Sequence, residues 1–228
     1  MRRRELSKAG LAVIVLAAAG QGGNAVAGLS QTDAASGVRA ALERGAAAAV
    51  ASLGRSDGFL GNPKVRIPLP GFLESAAKLL RATGQRSQVD ELVTAMNRAA
   101  ETAVPQAATL LREAVRSMSV EDGLRIVRGG DTAVTDFFAG KTREPLGVKF
   151  LPIVTQATER VALASKYDAV AGKAAGLGLV KTEDANLQRY VTRKALDGLY
   201  LMIGEEERKI RSDPVGTGSA LLQRVFAK

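Results

Sequence analysis

Residues 190–207 read YVTRKALDGLYLMIGEEE, and the placing of their apolar side chains decides the fold class. Wound at 3.6 residues per turn, Tyr190, Val191, Leu196, Leu199, Tyr200, Leu201, Met202 and Ile203 cover most of a helix circumference. A surface helix keeps a polar face, so this one is expected to be surrounded by others. The stretch therefore predicts an all-α fold, a single bundle packed around a long helix from about Glu183 to Arg211. In its last turns Glu205 stands four before Lys209 and Glu207 four before Arg211, the orientation that favours pairing at the negative end of the helix dipole.

Upstream, from Ser30 onward, Ala, Leu, Val and Arg recur at the three-to-four spacing of amphipathic helices. Helix starts are marked by Ser30 with Asp33, Ser87 with Asp90 and Ser119 with Asp122, and Asp131 is placed to cap TAVTDFFAG. Stops are marked by Gly54, suited to a left-handed cap, by Gly84 and by Gly129-Gly130. Pro70 suits a first turn, Pro105 is expected to kink or divide residues 87–118, and Pro152 to break a helix near Leu151. With a looser run AGKAAGLGLV at 171–180, the chain reads as about eight helices.

One stretch departs from helix. GFLGNPKVRIPLP, residues 58–70, opens a turn at Asn62-Pro63, and Ile67 and Leu69 each precede a proline that pushes them into extended geometry. Val65, Ile67 and Leu69 then share one face and Lys64, Arg66 and Pro68 the other, which predicts a short hairpin or extended strap laid over helices.

The chain begins with Arg2, Arg3, Arg4 and Lys8, an apolar run from Ala9 to Gly20 and a small-residue site at Ala25-Val26-Ala27. That order predicts a signal peptide over 1–27, cleaved after Ala27, and a periplasmic or secreted protein. Its apolar core is too short for a permanent membrane anchor. Arg3-Arg4 also fits a twin-arginine export signal. The remaining 201 residues, enough for one domain over 28–228, carry a net +6 once the four cations and one acid of the leader are removed from the total of +9. Their cations are scattered among acids with few aromatic residues, so no specific nucleic-acid partner is expected.

The 228 residues include no histidine and no cysteine. Imidazole bases, thiol nucleophiles, Cys/His metal sites and disulfides are thereby excluded. Ser75 and Lys78 match S-x-x-K without its partner motifs, and Ala139-Gly140-Lys141-Thr142 resembles the end of a phosphate loop but lies in a helical pattern. Tyr190 and Lys194 have Y-x-x-x-K spacing without a dinucleotide fingerprint, and the acidic runs at 121–122, 183–184 and 205–207 lack a calcium loop. No catalytic residue, metal site or cofactor is called for.

A polar set remains. Asp197 lies within the most apolar helix, with Arg193 four before, Lys194 three before and Tyr200 three after; Asn97 and Arg98 are candidate partners on another helix. These six residues either lock the core or line a small cavity that binds. The composition favours a non-enzymatic module that binds an envelope partner or a small apolar ligand. Two alternatives are a carboxylate-dependent hydrolase of peptidoglycan or glycan, which needs neither histidine nor cysteine, and a peripheral adaptor on anionic lipid.

Taken together, GFLGNPKVRIPLP, MSVEDGLRIVRGGDTAVTDFF, KFLPIV, YVTRKALDGLYLMIGEEE and IRSDPVGTGSALL resemble the bacterial domain of unknown function 4197, from about Leu29 to the C-terminus. The resemblance implies an exported, helical, single-domain protein. It carries no activity or catalytic residue with it. The absent cysteine departs from the lipoprotein members of that family.

Overall fold

The computed structural model describes residues 31–82, 84, 86–130, 133–159, 167 and 186–213. Among them are seven α-helices and no strand: α1 (Gln31–Leu53), α2 (Glu74–Ala82), α3 (Arg86–Ala103), α4 (Ala107–Arg116), α5 (Val120–Arg128), α6 (Ala133–Thr158) and α7 (Leu187–Ser212). Single 3-10 turns, Gly71–Leu73 and Val104–Gln106, lead into α2 and α4. The all-α expectation holds, and α3 gives way to α4 at Pro105 through the 3-10 turn Val104–Gln106. The leader, Ser30, Asp131 and the run at 171–180 lie outside the described residues.

The expected count of about eight helices is not supported, and α6 shows why. It runs unbroken for 26 residues through both Pro145 and Pro152, so no break occurs near Leu151. Both prolines face solvent. The carbonyls of Lys141 and Val148, which their rings leave without an i+4 donor, therefore remain open to water.

The buried residues of α6 are Val134, Phe138, Thr142, Leu146, Phe150, Val154 and Thr158, one every four residues. Each such step advances about 40° beyond a full turn, so the buried line winds roughly 240° around the helix. Hence α6 touches α3, α4, α5 and α7 rather than resting on one neighbour.

Two expected helix ends differ. Ser87 is inside α3, which begins at Arg86, so it is not a cap. Gly54 follows α1, but the left-handed backbone is found at Gly84 and at Asp57, with φ of 83° and 63°. At Gly54 the constraint is contact: a Cβ there would stand 2.8 Å from Cγ of Pro105. Ser119 and Asp122, by contrast, form the complete reciprocal cap of α5.

Helix α7 begins at the Asn186 cap, whose side chain accepts from the N–H of Arg189. It packs against α1, α3 and α6. Leu187, Val191, Ala195, Leu199 and Tyr200 are at most 1 % exposed. It is not covered all round: Leu201, expected inside, is 39 % exposed, on an open strip with Arg189, Asp197 and Arg208. The expected Glu205–Lys209 pair is replaced. Glu205 bonds Lys64 of the strap and lies 3.7 Å from Arg208, while Lys209 takes Glu206 at 2.6 Å.

Candidate functional site

The strap is the element from which the polar chemistry of the molecule is organised. Val65, Ile67 and Leu69 are buried and Lys64, Arg66 and Pro68 exposed, as alternation predicts. No second strand pairs with it among the described residues. Side chains replace the ladder: Asn97 Oδ1 accepts from the N–H of Ile67 at 2.8 Å, and Nδ2 donates to the carbonyls of Ile67 at 3.0 Å and Val93 at 2.8 Å. One turn along α3, Oε1 of Glu101 accepts from the N–H groups of Phe59 and Leu60 at 3.0 and 3.1 Å.

Arg98 closes this arrangement. Its guanidinium donates to Oε2 of Glu101 at 2.7 Å, to Ser56 at 3.0 Å and to Oδ1 of Asp57 at 2.9 Å, and the Glu101 contact raises its pKa. Asp57 is thereby held in its left-handed conformation, which aspartate tolerates better than most residues. Both oxygens of the buried Glu101 are engaged, so neither faces a substrate.

The strap runs antiparallel to α7. Lys64 bonds Glu205, a Cβ added to Gly198 would stand 2.8 Å from Phe59 and 3.2 Å from Val65, and the hydroxyl of Tyr190 donates to the carbonyl of Pro68 at 3.0 Å. That register brings Arg66 to the level of Lys194.

On the open strip of α7 the second polar group assembles. Arg143 of α6 donates to Oδ1 of Asp197 at 2.9 Å, and Arg193 lies 3.7 Å from Oδ2. Each guanidinium also stacks on a tyrosine, Arg143 at 5.0 Å from the ring centre of Tyr200 and Arg193 at 5.5 Å from that of Tyr190. Lys194 Nζ lies 5.9 Å from the Tyr190 ring. Neither Lys194 nor Arg66 has a carboxylate partner among the described residues. Beneath the strip the Tyr200 hydroxyl is 2.9 Å from that of Thr142, which also bonds the carbonyl of Phe138 at 2.7 Å. Burial pushes the Tyr200 phenol up.

The six predicted residues thus divide. Asn97 and Arg98 on α3 secure the strap, Arg193, Lys194 and Asp197 lie half-buried on the side of α7 that carries the open strip, and Tyr200 anchors it from below. None of the six lines the cleft between α1 and α4 or the cleft between α5 and α6. Three participants were not foreseen. Glu101 had a signal, standing one turn after Asn97; Arg143 and Thr142 had none, because their faces depend on the winding of α6.

The family profile described as a protein of unknown function, DUF4197, matches residues 28–227. The chain belongs to that family. No match is found among curated proteins or among solved structures.

Within this DUF4197 chain the other motifs take ordinary places. Gly140, Lys141 and Thr142 are interior to α6, Lys78 is exposed on α2, and Tyr190 and Lys194 are neighbours one turn apart. Glu121 and Asp122 belong to the first turn of α5, where Asp122 is held below the usual carboxylate range by the N–H of Ser119. Among the described residues no three acidic side chains gather as a metal site, and no helix is long and apolar enough to cross a membrane.

Proposed function

We propose that this DUF4197 chain is an exported, non-enzymatic binding module that docks on an anionic partner through the face of α7 framed by the strap and α6. The observation that carries the reading is the charge balance at that face. Arg143 bonds Asp197 and is ordered on the Tyr200 ring, Arg193 is ordered on the Tyr190 ring, and among the described residues neither Lys194 nor Arg66 has a carboxylate partner. An ordered guanidinium such as that of Arg143 loses little freedom when a carboxylate or phosphate replaces water beside it. The polar groups beneath are spent on holding the strap, which keeps this face in shape.

Export is supported by the order of charged, apolar and small residues over 1–27, with one helical domain from residue 28 onward. N-terminal sequencing of the protein recovered from an envelope fraction checks this: Gly28 at the new terminus is expected, and an intact Met1 in the cytosol would rule export out.

For binding, the purified protein is titrated with polyglutamate at low salt. The reading expects the pair Arg66→Glu and Lys194→Glu to weaken binding more than tenfold and to lessen its salt dependence. Reversal of Lys78 and Arg116, exposed cations on α2 and α4, should change it less than about twofold. Equal losses from both pairs would mean attraction to the whole charged surface and no site. Leu201, exposed among these cations, favours anionic lipid as the partner. Retention on phosphatidylglycerol vesicles that Leu201→Ser abolishes would assign it.

A further inference from the structure

Among the described residues Arg143 is paired with one carboxylate, Asp197, whose Oδ1 accepts from it at 2.9 Å. Both members of the pair are open to water, their side chains 43 % and 41 % exposed. Arg143 has a second support, since its guanidinium stacks 5.0 Å from the centre of the Tyr200 ring. That ring is fixed in turn by the Thr142 hydroxyl, 2.9 Å from its own. The guanidinium therefore keeps a holder if Asp197 lets go. An anionic group arriving at Arg143 meets a carboxylate already hydrogen-bonded to the same cation.

We infer that Asp197 is an internal competitor, which occupies Arg143 in the free protein and is displaced when an anionic group of the partner takes its place. The inference rests on the reading of the α7 face as a docking surface and adds a control to it. The competition is mild, because an exposed ion pair shifts an equilibrium by at most about fivefold. It acts as a threshold. A lone carboxylate gains little by exchanging with Asp197, whereas a polyanion that also meets Arg66 and Lys194 displaces it.

The test is a double-mutant cycle on the affinity of the full chain for polyglutamate at low salt. Asp197→Asn keeps the side chain's size, removes its charge and should tighten binding about threefold. Asp197→Ser should reproduce that gain, so the result does not hang on one variant. Glu113→Gln removes the same charge at an exposed position on α4 and should tighten binding by less than half as much. In an Arg143→Gln background, Asp197→Asn should gain little more than Glu113→Gln does. Weaker binding by Asp197→Asn would make the residue part of the docking surface, and equal gains from Asp197→Asn and Glu113→Gln would reduce its effect to net charge. Either result overturns the inference, and the docking reading still stands if Arg66→Glu with Lys194→Glu weakens binding. If that reversal has no effect, the docking reading falls and the inference with it.

Discussion

Asn97 bonds both the N–H and the carbonyl of Ile67, so one side chain does for that residue what a neighbouring strand does in a sheet. Glu101 serves Phe59 and Leu60 in the same way, and Tyr190 serves Pro68. A segment with three prolines cannot complete a ladder, yet its buried carbonyls and N–H groups must still be paired. Burying Phe59 and Ile67 stabilises by about 1.5–3 kcal/mol each. That offsets an ordering cost of about 1–2 kcal/mol per backbone residue only if the polar groups are satisfied.

Replacing Asn97 by leucine, which has the same branching but no hydrogen-bonding group, leaves the Ile67 peptide groups buried without partners. Destabilisation of about 2–4 kcal/mol is expected in urea unfolding, with loss of hydrogen-exchange protection at the Ile67 amide. An unchanged midpoint would show that the strap does not depend on this contact.

Gly198→Ala sets two effects against each other. Alanine gains about 1 kcal/mol of helix propensity, but its methyl would meet Phe59 at 2.8 Å and Val65 at 3.2 Å, and overpacking costs about 1–3 kcal/mol. Net loss of stability is expected. Gly147→Ala in α6, where a Cβ meets nothing within 4 Å, should gain most of the propensity term. Thermal melts of the two variants should move in opposite directions.

Lys64 holds Glu205 below its ordinary value of 4.5, and the Ser119 N–H holds Asp122 below 3.8. A carboxyl depressed in the fold binds its proton less readily there than in the unfolded chain. Its contribution is therefore present above the unfolded value and lost as pH falls through the folded one. Stability measured against pH should decline below about pH 4.5, and Glu205→Gln should flatten the upper part of that decline. Parallel curves for the two proteins would remove Lys64–Glu205 as a strap contact.

Tyr200 behaves in the opposite sense. Burial favours its neutral phenol, so its folded value lies above the ordinary 10.0, and stability is lost as pH rises from the unfolded value through the folded one. Ultraviolet titration of the wild type should show a late-ionising phenol that is missing from Tyr200→Phe. Because Thr142 keeps its bond to the Phe138 carbonyl, the variant should cost only about 1 kcal/mol.

The sequence showed most of the fold because its signals were local. Residues 190–207 read as a long, largely buried helix, the alternation at 65–69 as an extended strap, and Ser119 with Asp122 as a cap. Helix α6 was illegible for a geometric reason: its buried residues repeat every four positions, so no fixed face appears, and prolines on its outer side mimic breaks. Leu201 was misplaced because apolar character does not reveal which part of a helix circumference its neighbours leave open. The polar set at Arg193–Tyr200 was visible as helix spacing, whereas its division from Asn97 and Arg98 depends on the path of the strap.

The binding face can be read at one atom, because a chain without cysteine accepts a single label. With Leu201→Cys carrying an environment-sensitive fluorophore, addition of polyglutamate should shift its emission saturably. The same label at Thr109→Cys, exposed on α4, should stay unchanged. A response at position 109 with silence at 201 would contradict docking through α7.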